Sequence, residues 1–394
     1  MSRQVYLDNS ATTPTLNCAI RAMAEAMGNN FGNPSSLHRL GVEAEEILLT
    51  SRREISRLLD CNARDIYFTS GATEANNTAI GGIFRTFRNR GNHIITTSIE
   101  HPSVKNMCAM LETEGANITL LPVDETGRID PDDIRASVSP DTILVSVMAV
   151  NNEVGSIQPL EAVSEIIASQ PLPRPFLHTD AVQAAATMNI APRALKIDLL
   201  SVSAHKFHGP KGAGALYVRE GLDLPPLLVG GGQESGLRSG TENTPAILGM
   251  GLAARWLTEG GRDDFRSLRT LRDEVAAHLQ EAIPESYING PPPGGPEHLA
   301  APHILNVSFA GVRGEVLVHA MADRGVFIST GSACSSKETG GTGTLDFMPI
   351  SKERVEGAVR LSMSPLNSRE DIQYAVSVLT EVVPQLRRMT NRRK

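Results

Sequence analysis

Between residues 65 and 219 the chain alternates short, apolar, β-branched runs with stretches of helical periodicity. That alternation limits the possible folds more than any other feature of the sequence. DIYFTS (65–70) reads as a strand, followed after a turn at Gly71 by a helix through ATEANNTAIGGIF. HIITTS (93–98) is a second strand, with a helical stretch after His101-Pro102. TILVSVMAV (142–150) is a nearly continuous apolar run, as expected of a strand covered on both faces. A helix near 159–168 precedes three more strand segments, FLHTDAVQ, DLLSVSAHK and GALYVR. Strands alternating with helices predict an α/β fold with a mostly parallel, doubly wound sheet.

From about residue 263 the pattern changes. A long charged helix leads to the break GPPPGGPEH (290–298) and the strand HILNVSF; a helix, the strand VFIST, a polar loop, the strand VRLSM and a final helix follow. A chain of 394 residues exceeds one ordinary core and predicts two domains. The expected division is a large domain over 16–262 and a smaller α+β domain from 1–15 and 263–394.

Hydrophobic content of 41% and charged content of 21% are those of a soluble globular protein. A net charge of -7 argues against a general nucleic-acid or membrane binder. The basic last eight residues read as a solvated helix end, since no aromatic residue accompanies the charges. The four cysteines include no CxxC pair, which argues against a zinc site and against a disulfide framework. The start shows no basic region followed by an apolar run, and no stretch reaches the ~18 apolar residues of a membrane span. The expected location is the reducing cytoplasm.

Four stretches carry chemistry. In HTDAVQ, Asp180 ends a strand, where ligands of open α/β sheets collect. It is a helix cap, a metal ligand or the counter-charge of a cationic ring. In SVSAHKFHGPKGAG (201–214), Lys206 follows a strand and lies between His205 and His208. It is either a surface lysine or an amine made nucleophilic by desolvation and neighbouring positive charge. The glycines there lack the ending and spacing of a P-loop. TSGATEANN (69–77) places Thr73 and backbone N–H groups at a helix start, which is either a phosphate cradle or an ordinary helix capped by Thr73 or Ser70. GLRSGTENTPA (236–246) is a second hydroxyl-rich helix start. The fourth stretch, ISTGSACSSKETGG (328–341), sets Cys334 among polar residues that give a thiol nothing to pack against. A phosphate cradle, an aspartate, a strand-end lysine and His101, as an aromatic ring for stacking, together meet the needs of pyridoxal phosphate.

These residues resemble the NifS/IscS-type cysteine desulfurases, in the fold-type I, class V aminotransferase group. The resemblance runs nearly end to end, through YLDNSATTP, FGNPSSLH, SGATEANN, EHPSV, VNNEVGSIQP, HTDAVQ, SAHKFHGPKGAGALYVR, GGGQESGLRSGTEN and STGSACSS. It implies that Lys206 holds pyridoxal 5'-phosphate covalently. Asp180 would pair with the ring nitrogen and Gln183 with the ring hydroxyl, while His101 stacks on the ring and works as acid or base. Ala72, Thr73, Ser203 and His205 would hold the phosphate, with Thr241 reaching in from the second subunit of a homodimer. Asn152 and Arg360 would hold the amino-acid substrate, L-cysteine, with Arg360 gripping its carboxylate. Cys334 would take the substrate sulfur as a persulfide, release alanine and pass the sulfur to an acceptor protein, an iron–sulfur scaffold or a tRNA-thiolating enzyme.

Two departures stand out. Ser235 replaces the arginine usual in that family, and ETGGTGTLDFMPISKERVEGAVRLSM replaces the usual segment after Cys334, which bears on the acceptor. A transaminase has no use for Cys334, and a non-catalytic adaptor would have no need of Lys206. A nucleotide-binding oxidoreductase is excluded by the lack of a GxGxxG after the first strand. A selenocysteine lyase shares the chemistry, but the short Cys334 loop favours the sulfur enzyme.

Overall fold

The computed structural model describes residues 3–330 and 343–391. Its strands are β1 (Val5–Tyr6), β2 (Ile66–Thr69), β3 (His93–Thr97), β4 (Asn117–Leu121), β5 (Thr142–Ser146), β6 (Phe176–Asp180), β7 (Leu199–Ser203), β8 (Gly214–Val218), β9 (Ser286–Asn289), β10 (Ile304–Phe309), β11 (Val326–Phe327) and β12 (Ala358–Ser362).

Seven of them form one sheet in the order β2-β8-β7-β6-β5-β3-β4. Pairings from β7 through β4 are parallel, and β8 runs antiparallel to both β7 and β2. The sheet is the mostly parallel one that the alternating pattern predicts. Strands β3, β5, β6 and β7 are buried at every position, because helices such as Ala72–Phe87 and Leu160–Ala168 cover the sheet. Beyond residue 262 lie the antiparallel sheet β12-β10-β9 and the helices Arg262–Ala282, Gly314–Ala322 and Arg369–Asn391. The start of the chain returns to this part, since β1 pairs in parallel with β11. A single apolar cluster runs from Val5 to Val383 and includes residues from both parts.

The strand expected over 142–150 ends at Ser146, although the residues after it stay buried. Val147 and Ala149 donate to the carbonyls of His178 and Asp180, but the Met148 N–H turns to the carboxylate of Glu100 at 2.8 Å. That side chain takes the place of a ladder partner. Similarly, VFIST forms only the two-residue β11, and Ser329 then makes a single bridge with Arg360. The residues after β5 reach a cleft beside the carboxyl ends of the large sheet, where Met148 and Val150 line it.

Candidate active site

The cleft has a volume of about 540 Å³. Its floor comes from strand ends: Asp180 closes β6, Ser203 closes β7, and His205 and Lys206 follow in a short turn. The helix Ala72–Phe87 starts at its rim with Ala72 and Thr73, and His101 begins the helix Pro102–Thr113. Asn152, Gln183 and Arg360 also line it. Ten of the twelve residues singled out from the sequence therefore meet at one place. Thr241 does not line the cleft of its own chain and is exposed. Cys334 lies outside the described residues, and the cleft lining takes in Gly343 and Thr344 on the C-terminal side of that gap.

The Lys206 Nζ donates to the carbonyls of Ser10 at 2.5 Å and Ala11 at 3.0 Å, so the first motif of the chain holds its amine at the cleft. The Gln183 amide donates to Ser10 O at 2.9 Å. Asp180 is buried, accepts from Asn76 Nδ2 at 2.8 Å and from the Val182 N–H at 3.0 Å, and has no ion pair among the described residues. The sequence left open whether Asp180 caps a helix. It accepts one local N–H, but no helix begins there.

The helix Ala72–Phe87 has Gly71 as its N-cap, without a side-chain cap. Capping by Thr73 or Ser70, one of the two readings left open by the sequence, is therefore not what the structure has. Thr69 Oγ1 turns back to Gly71 O at 3.0 Å, and the Ser70 N–H goes to Glu74. The amides of a 16-residue helix thus open toward the cleft beside Ser203 and His205. Burial, with the charge of Lys206 next to it, pushes His205 down to about 4, so its ring is neutral. This donor set fits pyridoxal phosphate. A bare helix end suits a phosphate, and a buried carboxylate without an ion-pair partner suits a protonated ring nitrogen.

Arg360 differs from the free grip expected of it. Its Nη2 meets Asp8 Oδ1 at 2.6 Å, its Nη1 donates to Asn152 O at 2.8 Å, and its Nε is buried without a partner. A substrate carboxylate would share this guanidinium with Asp8. Charged residues that the sequence reading passed over also line the cleft, among them Lys105 and the two carboxyl groups of Glu100 and Glu153. Burial raises both carboxyl groups and lowers the Lys105 amine. Glu100 and Glu153 sit inside quoted motifs, EHPSV and VNNEVGSIQP, but no local pattern announces their burial.

The aminotransferase class-V family matches residues 5–375. A cysteine desulfurase IscS from Methanosarcina thermophila is 42% identical over 389 residues, which is 99% of this chain and 94% of that protein. A solved NifS-like protein superposes with a TM-score of 0.89 at 34% identity, covering 97% of this chain and all of the other. A solved structure of SspA in complex with cysteine gives a TM-score of 0.80 at 31% identity, covering 92% of this chain and all of that one. The open helix end, the strand-end lysine and the unpaired aspartate thus occur on a fold shared with these proteins, and the chain belongs to the class-V aminotransferase family, among its NifS/IscS-type cysteine desulfurases.

Proposed function

We propose that this chain is a pyridoxal phosphate-dependent cysteine desulfurase that releases alanine from L-cysteine and carries the sulfur on Cys334. The observation that carries this reading is the meeting of Lys206, Asp180 and the uncapped helix end at Ala72 in one cleft. When bound, the cofactor supplies an electron sink for the bonds at the substrate's amino-acid carbons. Lys206 is the amine that holds it. Asp180 would keep a proton on the ring nitrogen, Gln183 would orient the ring, and His101 would stack on it. Ala72, Thr73, Ser203 and His205 hold the phosphate, while Asn152 and Arg360 orient the substrate. The Cys334 thiolate then forms the S–S bond as the substrate's C–S bond breaks, which leaves the sulfur as a persulfide.

Two features support a homodimer in which Thr241 serves the partner's cleft. Thr241 is exposed and lies outside its own cleft, and apolar side chains stand in solvent nearby in sequence, with Val229 88% exposed. Leu37, 99% exposed, adds to this apolar surface. The acceptor is an iron–sulfur scaffold or a tRNA-thiolating enzyme, and the place of action is the cytoplasm. No helix among the described residues is long and apolar enough to cross a membrane.

The test is a visible spectrum of the purified protein, followed by assay of alanine and sulfide together after L-cysteine and a thiol reductant are added. A cofactor absorbance with equal alanine and sulfide is expected. Lys206→Ala should lose the absorbance and all turnover; Cys334→Ser should keep the absorbance and stop releasing alanine. A Cys334→Ser protein with normal turnover would refute the persulfide route, and a reconstituted wild type without cofactor absorbance would refute the whole reading.

A further inference from the structure

His101 caps the helix Pro102–Thr113 with its ring: Nδ1 accepts the Ser103 N–H at 3.1 Å and lies 2.8 Å from Ser103 Oγ. Ser103 is buried, and so is Asn76, whose Nδ2 donates to Ser103 Oγ at 2.9 Å and to Asp180 Oδ2 at 2.8 Å. Asp180 decides the orientation of that amide. A carboxylate only accepts hydrogen bonds, so Asn76 turns its NH₂ toward Asp180, and its Oδ1 is left buried without a partner. Ser103 Oγ therefore accepts from Asn76, and the hydroxyl hydrogen goes to His101 Nδ1. Two donors from Ser103 converge on that nitrogen. It can hold no hydrogen of its own, and the neutral ring carries its hydrogen on Nε2.

We propose that Ser103 and Asn76 are positioning residues for His101, through which the fixed carboxylate of Asp180 selects the imidazole tautomer that presents Nε2–H to the cleft. The surroundings keep the ring neutral. Burial lowers its pKa first, Lys206 and Lys105 act in the same direction, and Asp180 opposes them. His205 also faces it, and the positive end of the helix disfavours an imidazolium. A ring held this way donates a hydrogen bond from Nε2 and has no lone pair there to take a proton. Within the desulfurase reading, on which this consequence rests, His101 is a hydrogen-bond donor in the resting site. Proton abstraction then falls to another group lining the cleft, such as Lys206.

The experiment is a long-range proton–nitrogen spectrum of holoenzyme labelled with ¹⁵N-histidine. His101 is assigned by the signal lost in His101→Gln, and kcat/KM is measured against pH alongside. The expected wild-type ring is neutral with hydrogen on Nε2. Ser103→Ala removes the hydroxyl donor and leaves only the backbone N–H on Nδ1, so it should raise the pKa of the ring, shift its ¹⁵N signals and move the acid limb of kcat/KM upward, with a loss of about three- to tenfold on that limb. Ser103→Thr, which keeps the hydroxyl, should restore all three. A wild-type ring protonated at Nδ1 at neutral pH would overturn the assignment without any variant, and so would Ser103→Ala spectra and profiles matching wild type. A wild type with hydrogen on Nε2 that releases no alanine would sink the desulfurase reading while the tautomer assignment stands.

Discussion

Glu100 shows what burial does to one carboxyl group. Its Oε1 accepts from Thr97 Oγ1 at 2.9 Å and from the Met148 N–H at 2.8 Å, while Oε2 is buried with no partner. Burial is the largest influence and pushes the group up to about 8 from an ordinary 4.5; the two hydrogen bonds and Lys105 only partly oppose it, and Asp180 adds to it. Between those two values the folded protein holds a proton that the unfolded chain has released. Folding is therefore favoured by this group at low pH, and the benefit is lost as pH rises through the window toward about 8. Glu100→Gln, which mimics the protonated form, should flatten the decline. Melting temperatures measured across that window should show a gentler slope for the variant, the difference reaching roughly 1.4 kcal/mol per pH unit at most. Parallel slopes would mean that Glu100 is ionised in the fold.

At the scale of elements, the approach of β8 to the start of the Ala72–Phe87 helix shapes the cofactor end of the cleft. Gly214 opens β8 and pairs with Thr69 of β2 on one side and Ser203 of β7 on the other. A Cβ added at Gly214 would lie 2.6 Å from Gly71 Cα and 2.8 Å from Val202 O, both backbone atoms that cannot swing aside. Gly214→Ala must therefore push the Gly71 turn and the helix start away from Ser203. We expect a loss of about 1–3 kcal/mol in stability. The cofactor colour retained after gel filtration should also fall, because the amides at Ala72 and Thr73 move with the turn. A variant that melts like wild type and keeps its colour would show that the turn has room to spare.

On the scale of the whole molecule, Arg360 ties distant parts of the chain together at the cleft. It belongs to β12, its backbone N–H goes to Ser329 O at 2.6 Å, and its guanidinium reaches Asp8 beyond β1 and Asn152 beyond β5. The planar fork serves both partners and leaves further N–H donors for a substrate carboxylate, which a lysine ammonium does not offer in that geometry. Arg360→Lys should keep the cofactor absorbance and raise KM for L-cysteine by about tenfold or more. A KM equal to that of wild type would remove Arg360 from substrate binding.

The sequence by itself determined the alternation of elements, the mostly parallel sheet and the residue types at strand ends. These rest on periodicities of 2 and 3.6, which act over a few neighbours. It also marked Asp180, Lys206, Thr73 and His101 by their places at strand ends and helix starts, while Gln183, Asn152 and Arg360 were marked only through the family resemblance. Tertiary structure alone decided their partners. Asn76 meets Asp180 across 104 positions and Arg360 meets Asp8 across 352, and no local pattern encodes either contact. The bare helix end at Ala72 also read as a capped one in sequence, because Thr73 and Ser70 are good cap residues, yet the N-cap is Gly71 and no side chain caps it. Glu100 reads as an ordinary surface acid until packing removes its water. Propensity belongs to the local chain, whereas burial, charge environment and hydrogen-bond partners depend on which distant segments the sheet brings together.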